Sequence, residues 1–200
     1  MSGSRRGWAW LLAGYVGLGG FLALEATTRQ PGEAPSLEAS SDDAGTTTLI
    51  LNAYGAALAL PVVRRVVRAG RLPNWVRPAG LVVELTGLGL RWWSMSTLKA
   101  SYSRTLRNAQ EDTLIDDGPY AVVRHPGYLG SILTWVGLSL TSASGPTLVA
   151  VSGMLGVAYR RRIAAEEALL VRDLPGYSEY TQRTSRLIPR IWRSHRPPRR

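Results

Sequence analysis

The 200-residue chain contains no cysteine. This excludes a disulfide framework, a thiolate nucleophile and any cysteine-ligated metal. Histidine is almost as scarce: His125 and His195 are the only two, too few for a histidine-rich metal centre, and no metal site is assigned. Lysine occurs once, at Lys99, so the net charge of +10 is carried almost wholly by arginine. No glycine-rich GxGxxG, Walker or HExxH pattern is present. The N-terminal "GYVGLGG" is a helix-packing surface, not a nucleotide loop.

Charge is also missing from long stretches. The mean hydropathy of −0.04 conceals uncharged runs alternating with arginine-rich ones. Residues 8–24, "WAWLLAGYVGLGGFLAL", carry no charge, and as a helix they rise about 26 Å, near the lower limit for a membrane span. Arg5 and Arg6 precede this run as they would precede a signal peptide, but its length and the lack of a small-x-small site after Leu24 favour a retained helix. Residues 25–46 read as an acidic loop, with Glu25, Glu33, Glu38, Asp42 and Asp43 against the single base Arg29. Residues 47–63, "TTLILNAYGAALALPVV", form a second apolar segment whose Pro61 is tolerable in a membrane helix. A basic stretch follows, with Arg64, Arg65, Arg68, Arg71 and Arg77. Residues 78–90 are a third apolar segment, bounded by Trp75 and by Trp92–Trp93 as interfacial aromatics.

Residues 91–128 form the longest polar region, in which Pro119 marks a turn. Arg124 and Arg160 then bracket 35 residues without an acid, arginine or lysine. One helix of that length would exceed about 50 Å. "TSASGP" at 141–146 offers a break, giving a tight helical hairpin with arms of about 18–20 Å. A further helix with apolar spacing spans 160–174 and is stopped by Pro175–Gly176. The tail from 183 has seven arginines and no acid, a composition suited to anionic headgroups.

This segregation predicts an integral membrane protein. Nucleic-acid binding is not supported, because the arginines flank apolar segments and do not share one soluble face. The positive-inside rule gives a conflict. Arg5–Arg6 and the 64–77 cluster place one end of the segments inside, whereas three crossings and a hairpin put the most basic part of the chain, 160–200, on the opposite side.

The chemistry-bearing residues cluster late in the chain. In "DDGPYAVVRHPGYLG" (116–130), Pro126 fixes its own φ and restricts His125 to extended geometry, directing it either as a rigid interface turn or as the wall of a polar pocket. Arg162 and Glu166 are i,i+4 and share a helix face. The adjacent Glu167 points about 100° away, which leaves one acid for an arginine and the other for a different partner. Glu84, mid-segment in the third apolar run, is expected to pair with an arginine. Tyr177 and Tyr180 lie just past the Pro-Gly stop.

"GPYAVVRHPGYLG", followed some 30 residues later by "RIAAEEALL", "PGYSEY" and "RLIP", resembles the isoprenylcysteine carboxyl methyltransferase family and related bacterial membrane and phospholipid methyltransferases. The resemblance covers roughly residues 84–192. It implies an integral membrane enzyme that uses S-adenosylmethionine to methylate a lipophilic acceptor reached from the bilayer. By this likeness Tyr120, Arg124, His125, Pro126, Tyr128, Leu129 and Gly130 stand at the family's cofactor-binding turn. Arg162, Glu166 and Glu167 stand at its arginine and paired acids, Tyr177 and Tyr180 at its C-terminal tyrosines, and Arg186 and Pro189 at its closing RLIP. Arg91 and Trp92 fall near a less specific preceding segment. Two stretches depart from the pattern: "TLKASYSRTLR", which by this likeness would lie near the substrate entrance, and Leu174 before Pro175–Gly176 where relatives have Phe-Gly.

The expected protein is an all-α membrane helical bundle with about five apolar segments, the last two a hairpin, and a C-terminal helical cofactor-binding region. It divides into N-terminal membrane segments (1–75, with acidic loop 25–46), a methyltransferase-like core (76–192) and a basic tail (193–200). Arg162 is the expected grip on an acceptor carboxylate. Glu167 would orient that arginine or the acceptor, and His125 would contact the cofactor or act as a base toward a hydroxyl or amine. Glu166 is the candidate partner for the cofactor's amine. Expected partners are a lipophilic, prenylated or lipid acceptor and membrane lipids, with no nucleic acid. The expected location is a bacterial cell membrane with the cofactor site facing the cytoplasm. The competing readings are a non-catalytic lipid-binding or assembly protein and an NADPH-dependent membrane reductase.

Overall fold

The computed structural model describes residues 2–28, 46–67, 70–105 and 114–189. It is an all-helical bundle of α1 (Ser2–Thr28), α2 (Thr46–Val67), α3 (Val76–Thr105), α4 (Pro126–Thr141), α5 (Gly145–Asp173) and the short α6 (Tyr177–Arg183), with a 3-10 turn at Gly118–Ala121. Among the described residues, α1 alone carries a window long and apolar enough to cross a membrane, Arg6–Thr27, and α2 holds a shorter apolar stretch, Thr47–Val63.

Three boundaries differ from the sequence reading: the second arm of the expected hairpin and the expected helix 160–174 are one continuous helix, α5, since nothing between Arg160 and Asp173 breaks it. α1 continues through Glu25 to Thr28, so the start of the expected acidic loop is helical, and α3 continues past Trp93 to Thr105. In both cases the helix continues into the polar residues that follow the apolar run. Most of the expected acidic loop and the whole basic tail 193–200, with His195, lie outside the described residues.

α3 and α4 are the most closely packed pair, and glycines make this possible. Gly80 and Gly87 on α3 face Gly137 and Gly130 on α4 in antiparallel order. A Cβ on Gly87 would stand 2.6 Å from the Gly130 carbonyl oxygen, and one on Gly137 would stand 2.4 Å from the Glu84 nitrogen. Backbones can approach this closely only where side chains are absent. α1 lays Leu11, Leu18 and Phe21 into the core, where they meet Trp135 and Leu138 of α4. α2 packs on α5 through Ile50, Ala53 and Ala57 against Val151, Leu155 and Ala158.

One end of the bundle is stitched by backbone bonds. Leu72 N–H donates to the Ala143 carbonyl (2.8 Å) and Gly145 N–H to the Gly70 carbonyl (2.9 Å). The linker into α3 is thereby tied to the turn between α4 and α5. That turn falls at Ser142–Ser144, inside the break expected from "TSASGP", and the Ser144 side chain caps α5 by accepting from Thr147 N–H. α5 ends where Pro175 and Gly176 (φ +80°) follow, as expected. The opposite end gathers Glu25 of α1, Arg91 of α3 and Glu167 of α5 around the N-terminus of α4.

Glu84 is a correction. Its side chain is fully buried and neither carboxyl oxygen has a hydrogen-bond partner among the described residues. It faces Gly14 and Gly17 of α1, and a Cβ on Gly17 would stand 2.6 Å from Glu84 Oε1. The expected arginine is not there because the nearest candidates are engaged elsewhere. Arg77 donates to the Thr141 carbonyl, and Arg91 to Glu25, Gly127 and Ser131.

Candidate active site

At the open end, two segments some 60 residues apart run side by side. Val123 forms a parallel bridge with Ser185; Arg124 N–H donates to the Ser185 carbonyl (2.8 Å) and His125 N–H to the Arg186 carbonyl (3.1 Å). The "RHP" and "SRLIP" stretches are thus one structural unit. His125 is the residue before α4, with φ −124° and ψ 59°. This ψ falls short of the extended value expected ahead of proline. The difference arises because the His125 carbonyl must turn into the helix to accept from Leu129 N–H (3.0 Å).

Glu167 organises the unit. Its Oε1 accepts from Arg124 Nε (3.0 Å) and Nη2 (2.7 Å), and lies 3.0 Å from His125 Nε2, so that the imidazole N–H donates to it. Its Oε2 accepts from Arg186 Nη2. Burial pushes the Glu167 carboxyl upward, but the donors from Arg186, Arg124 and His125 outweigh it, and the group titrates below its ordinary value. Arg124 also donates to the Thr181 carbonyl (3.0 Å) and to that of Thr184. Its guanidinium is therefore consumed in tying α5, α6 and the closing strand-like segment together.

Glu166 points elsewhere, as adjacent helical positions must. It accepts from the Tyr128 hydroxyl (2.6 Å), which also lies 3.4 Å from Arg162 Nε. The Tyr128 ring stacks on His125 with centroids 5.7 Å apart, and contacts Tyr159 at 5.3 Å. The Tyr180 hydroxyl donates to the Tyr120 carbonyl (2.6 Å), anchoring α6 on the 3-10 turn. Burial and the neighbouring Glu167 charge push the Tyr177 phenol up to about 12.

The sequence-derived residues are thus placed as follows. Arg124, His125, Glu167, Tyr120, Tyr177 and Tyr180 converge on the junction of α4, α5 and α6, and Tyr128, Glu166 and Arg162 form an adjoining cluster. Pro126 opens α4 and is buried, and Leu129 is half-buried one turn on. Gly130 faces α3: a Cβ there would stand 2.7 Å from the Gly87 carbonyl oxygen and 2.8 Å from the Arg91 nitrogen. Its observed contacts are those of helix packing.

Two features were not singled out as site residues. Arg186, half-exposed, combines with Arg124 to line an open groove of about 530 Å3 with Thr181, Ser185, Leu187 and Ile188. Its signal was the closing "RLIP". On the inner side, Arg91 donates from Nη1 to the Gly127 carbonyl (3.1 Å) and Ser131 Oγ (2.7 Å), and from Nε to Glu25 Oε1 (2.6 Å). The face of this guanidinium lies 5.0 Å from the Phe21 ring centroid. An arginine closing an apolar run was visible in the sequence; its inward direction was not.

The site suits S-adenosylmethionine. The groove volume falls in the usual range for small-molecule sites, and its rim carries the half-exposed guanidinium of Arg186, a suitable donor for a carboxylate.

The fold and the site together define an all-helical bundle with one apolar helix of membrane-spanning length and a polar site at the junction of α4, α5 and α6. A solved structure of the eukaryotic intramembrane Ras methyltransferase ICMT superposes with a TM-score of 0.56 over 84% of this chain and 60% of that one, at 21% identity, a likeness of fold. A sequence model of the isoprenylcysteine carboxyl methyltransferase (ICMT) family matches residues 80–172. The probable protein-S-isoprenylcysteine O-methyltransferase of Oryza sativa subsp. indica is 30% identical over 155 residues, covering 73% of this chain and 81% of the relative. The cobalt-zinc-cadmium resistance protein CzcN of Cupriavidus metallidurans is 29% identical over 122 residues, covering 59% of this chain and 53% of that one. The chain belongs to the isoprenylcysteine carboxyl methyltransferase family.

Proposed function

We propose that the protein transfers the methyl group of S-adenosylmethionine to the carboxylate of a lipophilic acceptor that approaches from the bilayer. The observation that carries this reading is the Glu167 clamp. One buried carboxylate joins Arg124, His125 and Arg186, drawn from the two motif segments, into a single cofactor-sized site. Arg186 would offer its exposed face to the cofactor's carboxylate, Glu166, beside Tyr128, is the candidate partner for its ammonium, and Arg124 and Glu167 keep the groove in shape. The bound cofactor supplies an activated methyl group on a sulfonium. Its transfer to a carboxylate oxygen would give a methyl ester and leave a thioether, with no proton for the protein to move. Catalysis therefore depends on alignment and exclusion of water more than on a base.

Arg91 now competes with Arg162 as the grip on the acceptor. Its guanidinium faces the bundle interior, against the first turn of α4 that also carries His125. Arg162 stands beside Tyr128 and Glu166, closer to the proposed ammonium site. We assign the acceptor carboxylate to Arg91, and to Arg162 the orientation of Tyr128 and Glu166.

The helices α1 to α5 would provide five apolar segments, with α4 and α5 a hairpin. Trp75 and the Trp92–Trp93 pair, all well exposed, are separated along α3 by about 25 Å, the thickness of a slightly thin hydrocarbon layer. Eleven arginines lie in 160–200, so the positive-inside rule favours a cytoplasmic site at that end over the smaller cluster at 64–77. A core at 76–192 with N-terminal segments 1–75 and a basic tail fits this arrangement, as does a bacterial cell membrane.

The test is calorimetric titration of S-adenosylmethionine into the detergent-purified protein, with NADPH in parallel, followed by mass detection of a methyl ester formed from a lipophilic acid. Binding of S-adenosylmethionine alone, lost in Glu167→Gln, is expected. NADPH binding alone would move the protein to the reductase class. A folded protein that bound neither would make it non-catalytic.

A further inference from the structure

We propose that Glu25 is an internal stand-in for the acceptor: a carboxylate on α1 that occupies the Arg91 fork between turnovers and is displaced by the incoming lipophilic acid. The inference rests on the assignment of Arg91 to the acceptor.

Glu25 is poorly placed for α1 itself. It lies in the last turn of the helix, where unpaired carbonyls make the local potential negative and an acid is destabilising. One partner lies across the bundle: Oε1 accepts from Arg91 Nε at 2.6 Å and pairs with Nη2 of the same guanidinium. This Nε/Nη2 edge is the one a carboxylate takes when arginine binds it through two parallel bonds. Glu25 uses it with a single oxygen and leaves the geometry of a full fork unclaimed.

Arg91 does not depend on Glu25 to be held. From its opposite edge Nη1 donates to the Gly127 carbonyl and to Ser131 Oγ, and Phe21 covers one face. Removing Glu25 leaves those contacts and exposes the free edge. The pair is also reachable, with 13% of the Arg91 side chain and 22% of the Glu25 side chain exposed. An exchangeable carboxylate solves a problem that a partly buried guanidinium poses: left unpaired in a membrane protein, it would carry a large desolvation cost. With Glu25 present, Arg91 has a negative partner both before and after the acid binds. The ester product is neutral and cannot hold the fork, so return of Glu25 favours its release.

A merely structural Glu25 and a competing one predict opposite signs. The probe is a farnesylated cysteine bearing a free carboxylate, titrated against its methyl ester into protein in lipid nanodiscs. For Glu25→Gln, the acid is expected to bind about tenfold more tightly than to the wild type, with ester binding unchanged. Glu25→Asp, whose shorter side chain draws the carboxylate back from Arg91, is expected to tighten acid binding in the same direction, and it serves if Glu25→Gln is not folded by circular dichroism. Equal, weaker or absent acid binding in the folded variants would overturn the proposal. S-adenosylmethionine titration of the same samples separates the two ideas. Loss of cofactor binding in the wild type sinks the proposed function, whereas intact cofactor binding with no tightening sinks only the role of Glu25.

Discussion

Gly130 of α4 meets the backbone of Gly87 on α3 so closely that a Cβ on Gly130 would stand 2.7 Å from the Gly87 carbonyl oxygen. Arg91, one helical turn beyond Gly87, stacks its own backbone against the same spot, with its nitrogen 2.8 Å from that virtual Cβ. The contact therefore sets both the helix spacing and the height at which Arg91 enters the interior. Gly130→Val is expected to force α3 and α4 apart, costing about 2 kcal/mol or more, and to lower the Tm in detergent. S-adenosylmethionine binding should survive in the folded fraction, because the groove lies on the other side of His125. A variant as stable as the wild type would show that α4 does not rest on α3 here.

The Glu167 carboxyl titrates below its ordinary value of 4.5 because three donors converge on it. A depressed carboxylate contributes stability that is fully present above its unfolded-state value and is lost as pH falls through the folded one. The clamp is therefore expected to hold from neutral pH down to about 4.5 and to loosen below it, releasing α6 and the "SRLIP" segment. Glu167→Gln should remove this acid transition and destabilise the folded site by about 3 kcal/mol, since Arg124 is left buried without its charge partner. Protease sensitivity at residues 174–189, followed against pH in both proteins, measures it.

The glycine contact and the clamp mark what the sequence could and could not reveal. The end of α5 at Pro175–Gly176 and the break at "TSASGP" were legible because proline and glycine act locally. The partners of Glu166 and Glu167 were not assignable, because they lie 19 to 43 positions away along the chain. The i,i+4 relation to Arg162 was only one of several options. Glu84 shows the opposite failure: a rule about intramembrane acids pointed to an arginine, whereas the packing of α1 against α3 seats the carboxyl on glycines. Arg91 fell only near a less specific segment of the resemblance, and its inward direction depends on the pairing of α3 with α4, where it meets Gly127 and Ser131.

Glu84 itself yields a simple expectation. No described residue offers its carboxyl a hydrogen bond, so nothing in its surroundings requires a negative charge. Glu84→Gln keeps the volume and removes the liability of burying an unpaired ion. Its Tm is expected to equal or exceed that of the wild type. A loss of several degrees would instead indicate that the carboxyl serves a partner outside the described residues.

Arg91 and Arg162 can be separated by kinetics. If Arg91 holds the acceptor, Arg91→Lys substitutes a point charge for a fork and should raise the acceptor KM at least tenfold while cofactor affinity stays unchanged. Arg162→Lys should instead weaken cofactor binding through Tyr128 and Glu166, with a smaller effect on the acceptor KM. The reverse pattern would return the acceptor to Arg162, as first expected from the sequence.

Arg124 and Arg186 both donate to Glu167, yet they differ in what else they can do. Arg124 has only 9% of its side chain exposed and spends its remaining donors on the Thr181 and Thr184 carbonyls. Arg186 is 51% exposed and turns its free donors to the groove. Arg124→Gln should therefore act on the fold, releasing α6 and abolishing binding of every ligand together. Arg186→Gln should leave the helices in place, since a half-exposed ion pair contributes about 1 kcal/mol or less. It should nevertheless weaken S-adenosylmethionine binding about tenfold by withdrawing a charge-assisted hydrogen bond from the cofactor's carboxylate. Titration with S-adenosylmethionine and with its decarboxylated analogue decides the point. The Arg186→Gln variant should bind the two with nearly equal affinity, whereas the wild type should prefer the intact cofactor. A wild type that made no such distinction would remove Arg186 from the site and leave it as a strut of the clamp.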